Sequence, residues 1–420
     1  MSDLPHEAYL AALAGIDGVG PVRMRWLLGH GDPEHVWGQL VSGRLRPGPI
    51  RHESNSGRID ADQISKWRAE ASRVRPEEIW RRCVKLGVGV VSLGSPGYPP
   101  ALADDLEPPV VLFQMGYPEA LNGPRVAIVG TRRATGYGLG VAESLGAELA
   151  ERGVVVVSGL ALGIDAAAHR GALGLRSGSA DTRGLENGAA GSDSADRGLG
   201  ASVVAVVANG LDSPCPSRNR QLAKRVVDRG VIYSEVPPGM PSAPWRFPVR
   251  NRVIAALADV VVVVESAGAG GSMHTVREAL TRDRPVLAVP GPVNSRASEG
   301  VNQLIRDGAA PCLGVEDVMM ALGLPDTPDQ TDSRATLLDR TKASVAQTQK
   351  ASGRQAQKET RREPTGNEAL VLESLDWRPA TLDSLAAGTG LGLRDLAKAL
   401  SNLESDGWIL RTGGWVERCA

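Results

Sequence analysis

The 420-residue sequence predicts an α/β protein built on a doubly wound, mostly parallel sheet, and two observations carry this prediction. Eight short runs rich in valine and isoleucine occur in the middle of the chain, and near-continuous apolar runs are typical of parallel strands buried on both faces. Amphipathic stretches such as 137–153 and 218–230 separate the runs and supply helices that cover the sheet. The predicted strands are 88–94, 110–116, 125–130, 154–159, 202–210, 231–235, 259–266 and 285–291.

The N-terminal region, residues 1–85, is predicted to be a separate helical domain because its apolar residues recur at helical spacing. Within it, residues 15–28 have the form of a helix-hairpin-helix (SAM-like) unit, with Gly18-Val19-Gly20 between two helices. Such a hairpin can present backbone amides to a nucleic-acid phosphate. A simple turn between two packed helices accounts for the same pattern, so both interpretations stand.

The C-terminal region, residues 365–420, is predicted to be a winged helix. It offers three helices and then a hairpin with Gly413-Gly414 at its tip. The region carries eight acidic and five basic residues, whereas a helix that reads DNA should be clearly basic. We therefore expect this unit to be a module that contacts another protein or has a regulatory role. Its helices are expected near 367–375, 381–387 and 393–405.

Two segments interrupt or follow the sheet domain, which is assigned to residues 86–324. Residues 176–200 are rich in glycine, serine and aspartate with almost nothing to bury, which predicts a mobile surface insertion. Residues 325–364 predict a flexible linker, and from Arg334 to Glu363 it carries eight basic and three acidic residues. This charge excess also suits a weak electrostatic tether for nucleic acid.

The overall composition excludes several classes of protein. A net charge of −1 rules out a generally basic nucleic-acid coat, so any anion site must be local. The four cysteines lie far apart without a CxxC pair, which predicts free thiols in a reducing compartment and no metal site. No apolar run approaches the roughly 20 residues that span a bilayer, and the N-terminus lacks the layout of a signal peptide. We expect a cytoplasmic protein without membrane contact.

The turns that follow the predicted strands carry the chemistry. The carboxyl ends of parallel strands share one edge of a doubly wound sheet, and that edge binds the ligand. Glycine allows close backbone approach, helix N-termini bind anions and arginine pairs with phosphate. Four such turns predict one extended phosphate-binding groove. The candidate residues are Gly130, Thr131, Arg132 and Arg133 in the first turn, Ser158, Gly159 and Gly163 in the second, Gly271, Ser272 and Thr275 in the third, and Pro290 and Gly291 in the fourth.

Arg250, Asn251 and Arg252 extend this set, since they are expected at the start of a helix, just before an apolar run. Asp165 is expected to cap the helix after the second turn, and His169 to be a structural partner. The first turn lacks the G-x-G-x-x-G fingerprint and the acidic partner of a dinucleotide site, so no NAD or FAD cofactor is expected. The sequence has no Walker A lysine, Ser/His/Asp set or metal-spaced cluster, which predicts a binding protein and not an enzyme.

Several segments, in this chain order, resemble the DNA-processing protein A family (DprA or Smf): VAIVGTRRATGYG, VSGLALGIDAAAHRGAL, VVAVVANGLDSPCPSRNRQL, SEVPPG, FPVRNRVIAAL, the GGSMHT turn and VPGPVNSRASEGVNQLIRDGA. The resemblance implies a Rossmann-like domain that binds single-stranded DNA without sequence preference. It also implies a non-enzymatic, cytoplasmic homodimer, built through that domain, which protects incoming strands in natural transformation and loads the recombinase RecA. The family's DNA-contacting arginine falls on Arg132, and its F-P-x-R-N-R segment on Phe247 to Arg252.

The third turn departs from the family pattern, and it also motivates a rival hypothesis. Where the family has a basic residue followed by S-G-S-[LM], residues 269–273 read A-G-G-S-M, so one cationic contact is absent. The stretch GGSMHTVRE faintly resembles the P-G-G-x-G-T-x-x-E turn of enzymes that cleave nucleoside monophosphates, with Glu278 as the acid. A third hypothesis, a purely protein-binding scaffold, draws on the acidic winged helix but leaves the glycine-arginine edge unexplained.

Overall fold

The computed structural model divides the chain into two compact units, Met1–Asp326 and Thr327–Ala420. The N-terminal helices belong to the first unit and share a hydrophobic core with the sheet. The predicted insertion 176–200 and nearly all of the predicted linker 325–364 lie outside the described residues. The structure describes residues 4–50, 57–175, 203–213, 216–268, 270–324, 364–375, 380–406, 408–412 and 415–418.

Within residues 4–50 and 57–86, the N-terminal part of the first unit has five helices and two short antiparallel strands. Helices α1 (His6–Ala14) and α2 (Pro21–Leu28) form the predicted helix pair, and Gly18 in the turn between them has a φ of 77°. Trp67 is completely buried in the core below them. The remaining elements are α3 (Pro33–Ser42), the antiparallel strands β1 (Gly48–Ile50) and β2 (Gly57–Ile59), α4 (Ala61–Ala71) and α5 (Pro76–Leu86).

A nine-stranded sheet forms the centre of the first unit, and it contains all eight predicted strands. In chain order the strands are β3 (Gly89–Ser92), β4 (Val111–Gly116), β5 (Arg125–Val129), β6 (Val155–Ser158), β7 (Val203–Val207), β8 (Val231–Ser234), β9 (Val260–Val263), β10 (Val286–Ala288) and β11 (Ala310–Pro311). Their spatial order is β11-β10-β9-β5-β6-β7-β8-β4-β3. The strands from β11 to β8 run parallel, whereas β4 pairs antiparallel with both β8 and β3. The prediction of a mostly parallel sheet is confirmed.

Helices cover both faces of the sheet because the strands bury both sets of alternating side chains. On β5, Val126 and Ile128 face one helical layer, and Ala127 and Val129 face the other. In the described ranges no helix is long and apolar enough to cross a membrane. One layer holds α7 (Gly136–Glu151), α8 (Ile164–Ala172) and α13 (Val315–Ala321); the other holds α6 (Pro100–Ala103), α10 (Arg246–Leu257), α11 (Ser272–Thr281) and α12 (Glu299–Arg306), and α9 (Arg220–Arg229) packs in the core shared with the N-terminal helices.

The strand order reverses beside β5. From β5 the chain continues through β6, β7 and β8 on one side, and it then crosses to β9 on the other side. Strands β5 and β9 are hydrogen-bonded neighbours, with Val129 opposite Val263. Doubly wound proteins bind ligands outside the carboxyl ends of the strands at such a switch point. The first and third predicted turns leave the sheet at this place.

The second unit is a winged helix. The hairpin strands β13 (Ile409–Thr412) and β14 (Trp415–Arg418) are antiparallel, and β12 (Ala380–Thr381) pairs with β14. Its leucine side chains from all three helices form one small core. The predicted helices are confirmed, whereas Gly413-Gly414 lies outside the described residues. The helices are α14 (Asn367–Leu375), α15 (Leu382–Thr389) and α16 (Leu393–Ser405).

Candidate functional site

A groove of about 610 Å³ opens at the carboxyl ends of β5 and β9. We call this cavity the strand-end groove. The first turn, the third turn and α10 form its walls, and Ala161 and Asp165 of the second turn contribute as well. The structure therefore brings three of the four predicted turns together. The predicted site residues that line the groove are Gly130, Thr131, Arg132, Arg133, Arg250, Asn251, Gly271, Ser272 and Thr275.

Arg132 and Arg133 give the groove exposed positive charge. The Arg132 guanidinium carbon lies 4.6 Å from the centroid of the Phe247 ring, a cation–π contact that helps to orient the guanidinium group. A planar guanidinium presents its N–H donors along its edges, which suits bidentate binding of phosphate. The groove thus pairs an oriented cation with an aromatic ring at one place.

The N-terminus of α7 is occupied by a side chain of the protein itself, which corrects the prediction of an open anion site there. The buried Glu265 carboxylate accepts hydrogen bonds from the Thr135 backbone N–H at 2.9 Å and from its hydroxyl at 2.6 Å. A Cβ on Gly138 would lie 2.4 Å from this carboxylate, so the glycine makes room for it. An internal anion already occupies the positive end of the helix. Binding of phosphate in the groove must therefore depend mainly on the arginines.

A buried pair of opposite charges forms part of the groove floor. Asp165 accepts hydrogen bonds from the N–H groups of Gly159 and Ala161, and Arg250 donates to the Val206 carbonyl at 2.8 Å. Burial raises the pKa of Asp165, and the nearby Arg250 opposes that shift. Burial lowers the pKa of Arg250 to about 10, so its guanidinium remains charged at neutral pH. Arg250 therefore supports the groove floor as a charged group buried beside Asp165.

The prediction that Asp165 caps α8 is wrong. The helix begins at Ile164 with Gly163 as its N-cap, so Asp165 lies inside the first helical turn and holds the preceding loop. Gly163 has a φ of 79°, and a Cβ there would lie 2.3 Å from the Thr131 carbonyl oxygen. Gly163 is therefore required for the close approach of the second turn to the first.

Ser158 and Gly159 pack beneath the groove and do not line it. The Ser158 hydroxyl is buried and donates to the Ile128 carbonyl at 2.6 Å, which ties β6 to β5. A Cβ at Gly159 would lie 1.7 Å from the Arg250 Nη1 atom, so this glycine leaves space for the buried guanidinium. His169 is also completely buried, in agreement with the structural role expected for it. These residues position the groove from below.

Arg250 and Arg252 do not start a helix, because α10 begins at Arg246 and encloses both. Arg252 is buried, forms an ion pair with Glu235 and donates to the Glu107 carbonyl. The sequence placed Arg252 among the DNA-binding residues, but its guanidinium is committed to these partners and does not line the groove. We therefore omit Arg252 from the proposed contacts.

The fourth turn does not line the strand-end groove either, so the prediction of one groove built from four turns is wrong in this respect. The Pro290 carbonyl accepts a hydrogen bond from the Tyr137 hydroxyl at 2.9 Å, and Pro290 lines a separate cavity. The Gly291 backbone exchanges two hydrogen bonds with the Asn302 side chain. Pro290 and Gly291 thus connect the fourth turn to its neighbours α7 and α12.

The rival enzymatic hypothesis requires a free acid at the third turn. Glu278 instead accepts a hydrogen bond from Arg282 at 2.6 Å, and Arg282 also pairs with Asp105 at 2.7 Å. Glu278 is absent from the residues that line the groove. In the part of the chain that the structure describes, no group of three or more His, Cys, Asp or Glu side chains could hold a metal ion.

The sequence interpretation missed two residues at this edge. Glu265 is the next-to-last residue of the predicted strand 259–266, and an acidic residue directly after a buried valine run is a signal that could have identified it. Trp245 precedes α10 and is 46% exposed, and no pattern in the sequence predicts that exposure. Only the packed structure reveals the surroundings of both side chains.

A family model for DNA recombination-mediator protein A matches residues 89–323, more than half of the chain. This chain belongs to that family. A second family model, the DprA winged helix domain, matches residues 355–414. The resemblance to the DprA family that the sequence segments indicated is thereby confirmed, together with the winged helix at the C-terminal end.

Known members of the DprA family are similar to this chain over different lengths. A DprA relative from Mycobacterium tuberculosis is 42% identical over 218 residues, which cover 51% of this chain and only 50% of the relative. Protein Smf from Synechocystis sp. is 28% identical and the match covers 97% of both chains. The X-ray structure of DNA processing protein A from Streptococcus pneumoniae matches with a TM-score of 0.57 and 26% identity, over 76% of this chain and 98% of that one.

Proposed function

We propose that this protein binds single-stranded DNA in the strand-end groove and acts as a non-enzymatic mediator of recombination. The exposed Arg132 stacked on Phe247 is the single observation that carries the proposal. Arg132 and Arg133 contact phosphate groups, and the Phe247 ring offers a face to an unstacked base. Such contacts do not read the base edges, so binding is independent of sequence.

The proposed site depends on rigid support from below. Asp165 and Arg250 hold the second turn and α10 at the groove, while Asn251 donates to the Gly271 carbonyl at 3.3 Å and connects α10 to the third turn. No step of bond breaking is assigned to these residues. The proposal needs no cofactor and no metal, because phosphate binding by arginine is sufficient for the function.

Fluorescence anisotropy with labelled oligo-dT and a matching duplex, across a salt series, tests this function. We expect tight binding of the single strand, weaker binding of the duplex, and about tenfold weaker single-strand binding by Arg132→Ala. The variant should also show a salt slope that is shallower by about 0.7, because one phosphate contact is lost.

Arg229→Ala is the matched control, since it removes the same charge from an exposed arginine in the last turn of α9. That turn precedes β8 and therefore lies near the amino ends of the parallel strands, on the side of the sheet away from the groove. Removal of the Arg229 charge should leave the binding of single-stranded DNA unchanged. Equal losses in both variants, or no single-strand binding at low salt, would contradict the proposal. Release of free base from a nucleoside monophosphate would instead favour the enzymatic alternative.

The proposal extends to partners and place of action. We infer that the protein acts in the cytoplasm, loads RecA onto the bound strand and protects that strand in natural transformation. Stimulation of RecA-dependent strand exchange on coated single strands would support this.

We also infer a homodimer through the Rossmann-like domain, since Leu313 and Met320 are 82% and 78% exposed and β11 is the last strand of the sheet. Light scattering should give twice the chain mass, and Met320→Arg should lower it.

A further inference from the structure

Trp245 is an aromatic side chain that the fold leaves exposed at the edge of the DNA site. It is 46% exposed, whereas Trp67 is completely buried. The Arg246 guanidinium carbon lies 5.1 Å from the Trp245 ring centroid, and Arg246 is itself held by donating to the Pro241 carbonyl at 2.8 Å. A buried, anchored cation therefore fixes one side of an indole that is nearly half exposed.

A second cavity, of about 580 Å³, lies against Trp245. The turn between α1 and α2 and the strands β1 and β2 form its other walls. Among the described residues that line it, Arg23 and Arg58 are basic and Asp17 is acidic. Arg23 donates to the Gly18 carbonyl at 2.7 Å and holds the turn, while Arg58 is exposed. We call this cavity the hairpin cavity.

The hairpin cavity and the strand-end groove share one wall. Pro244 and Phe247 line the groove, and Trp245 lies between them in sequence and lines the hairpin cavity. Residues two apart at the start of a helix point about 200° apart around its axis. The Phe247 ring therefore lies on the groove side of this short segment and the Trp245 ring on the side of the hairpin cavity. A polymer that leaves the groove across this segment would reach the indole next.

We propose that single-stranded DNA continues from the strand-end groove across Trp245 into the hairpin cavity. One base stacks on the indole, and the following phosphates approach Arg58 and the turn that contains Gly18. This inference rests on the proposed function and extends it, because it assigns a nucleic-acid role to the N-terminal helix pair. An aromatic face next to positive charge suits a single strand, since each base has a stacking face and each linkage a negative charge.

The test compares two lengths of labelled oligo-dT, about 5 and about 16 nucleotides, near the limits of site sizes for one single-strand-binding fold. The short strand fills the groove alone, and the long strand also reaches Trp245. We expect Trp245→Ala to leave the short strand unaffected and to bind the long strand about 5- to 30-fold more weakly. Trp245→Phe should recover most of the loss because it keeps an aromatic face. Arg58→Ala should flatten the salt slope for the long strand only.

Tyr117→Ala is the matched aromatic control. Tyr117 is 54% exposed, and its N–H donates to the Gly230 carbonyl just before β8, at the opposite edge of the sheet. This variant should bind both strands as the parent does. Unchanged binding of the long strand by Trp245→Ala would overturn the inference, as would an equal loss at both lengths or no recovery by phenylalanine.

The same experiment separates this inference from the proposed function. Arg132→Ala should weaken both lengths, because the groove is needed in each case. If Arg132 matters at both lengths and Trp245 at neither, only the extended path is refuted. If the parent protein binds neither strand, the groove and the extension are both refuted. An unfolding curve of Trp245→Ala that matches the curve of the parent protein excludes misfolding. We expect such a match because the Trp245 side chain is about half exposed.

Discussion

Replacement of Glu265 by glutamine tests whether an internal carboxylate occupies the N-terminus of α7. The side chain is 1% exposed and accepts two hydrogen bonds from Thr135. A glutamine side chain would preserve the volume and remove the charge, whereas alanine would remove both bonds and leave a cavity. The free energy of unfolding should therefore fall in both variants, and it should fall further for Glu265→Ala.

The magnitude follows from the two bonds. A hydrogen bond to a charged group contributes about 1.5–3 kcal/mol and a neutral one about 0.5–1.5 kcal/mol, so each bond should weaken by about 1 kcal/mol. Glu265→Gln should thus lower the free energy of unfolding by about 2 kcal/mol. Glu265→Ala should lower it by about 3 kcal/mol or more, because both bonds are lost and the site is left empty.

Urea unfolding followed by tryptophan fluorescence measures these differences. Glu278→Gln is the matched control, since the Glu278 side chain is 36% exposed and its largely buried partner Arg282 keeps a second partner, Asp105. That change should cost less than about 1 kcal/mol. If Glu265→Gln is as mild as the control, the carboxylate does not hold the helix N-terminus and our account of the first turn is wrong.

Two further predictions concern the layer beneath the groove. The pKa of His169 is lowered to about 3 by burial, whereas an unfolded histidine titrates near 6.5. The unfolded state therefore binds more protons between these two values, and the free energy of unfolding should fall by about 2 kcal/mol from pH 7 to pH 5. In His169→Gln, measured by urea unfolding at both pH values, the free energy of unfolding should fall by less over that interval. An equal fall would contradict the burial of a neutral ring. Gly159→Ala should lower the free energy of unfolding by about 3 kcal/mol, because the new Cβ atom would displace the buried Arg250 guanidinium. The control is Gly140→Ala, where the new Cβ atom has open space around it, and this variant should change the free energy of unfolding by less than about 1 kcal/mol in the same urea assay.

Much of the fold could be predicted from the sequence because the evidence for it is local. A valine run such as 259–266 needs burial on both faces, and the helical segments between such runs supply the cover, so the parallel sheet follows. The winged helix follows in the same way from periodicity and turn residues. The antiparallel pairing of β4 with β8 could not be predicted, since a buried strand has the same composition in either direction.

The candidate site was only partly predictable, because residue type does not reveal which atoms surround a side chain. Arg132 and Arg252 are both arginines near predicted helices, yet one is exposed over Phe247 and the other is buried against Glu235. The glycines of the second turn were attributed to ligand approach, whereas Gly159 and Gly163 make room for protein atoms.

The layers of this protein, its turns at the strand ends and its family follow from local sequence patterns. Which charged side chains reach solvent depends instead on the tertiary packing. Glu265 comes from the end of one strand and Thr135 from the turn after another, 130 residues apart, and their contact exists only because β9 lies beside β5. The same long-range packing buries Arg252 against Glu235 and leaves Arg132 and Trp245 exposed to solvent. The burial and the partners of a side chain depend on residues that are distant in sequence and become neighbours only in the folded protein.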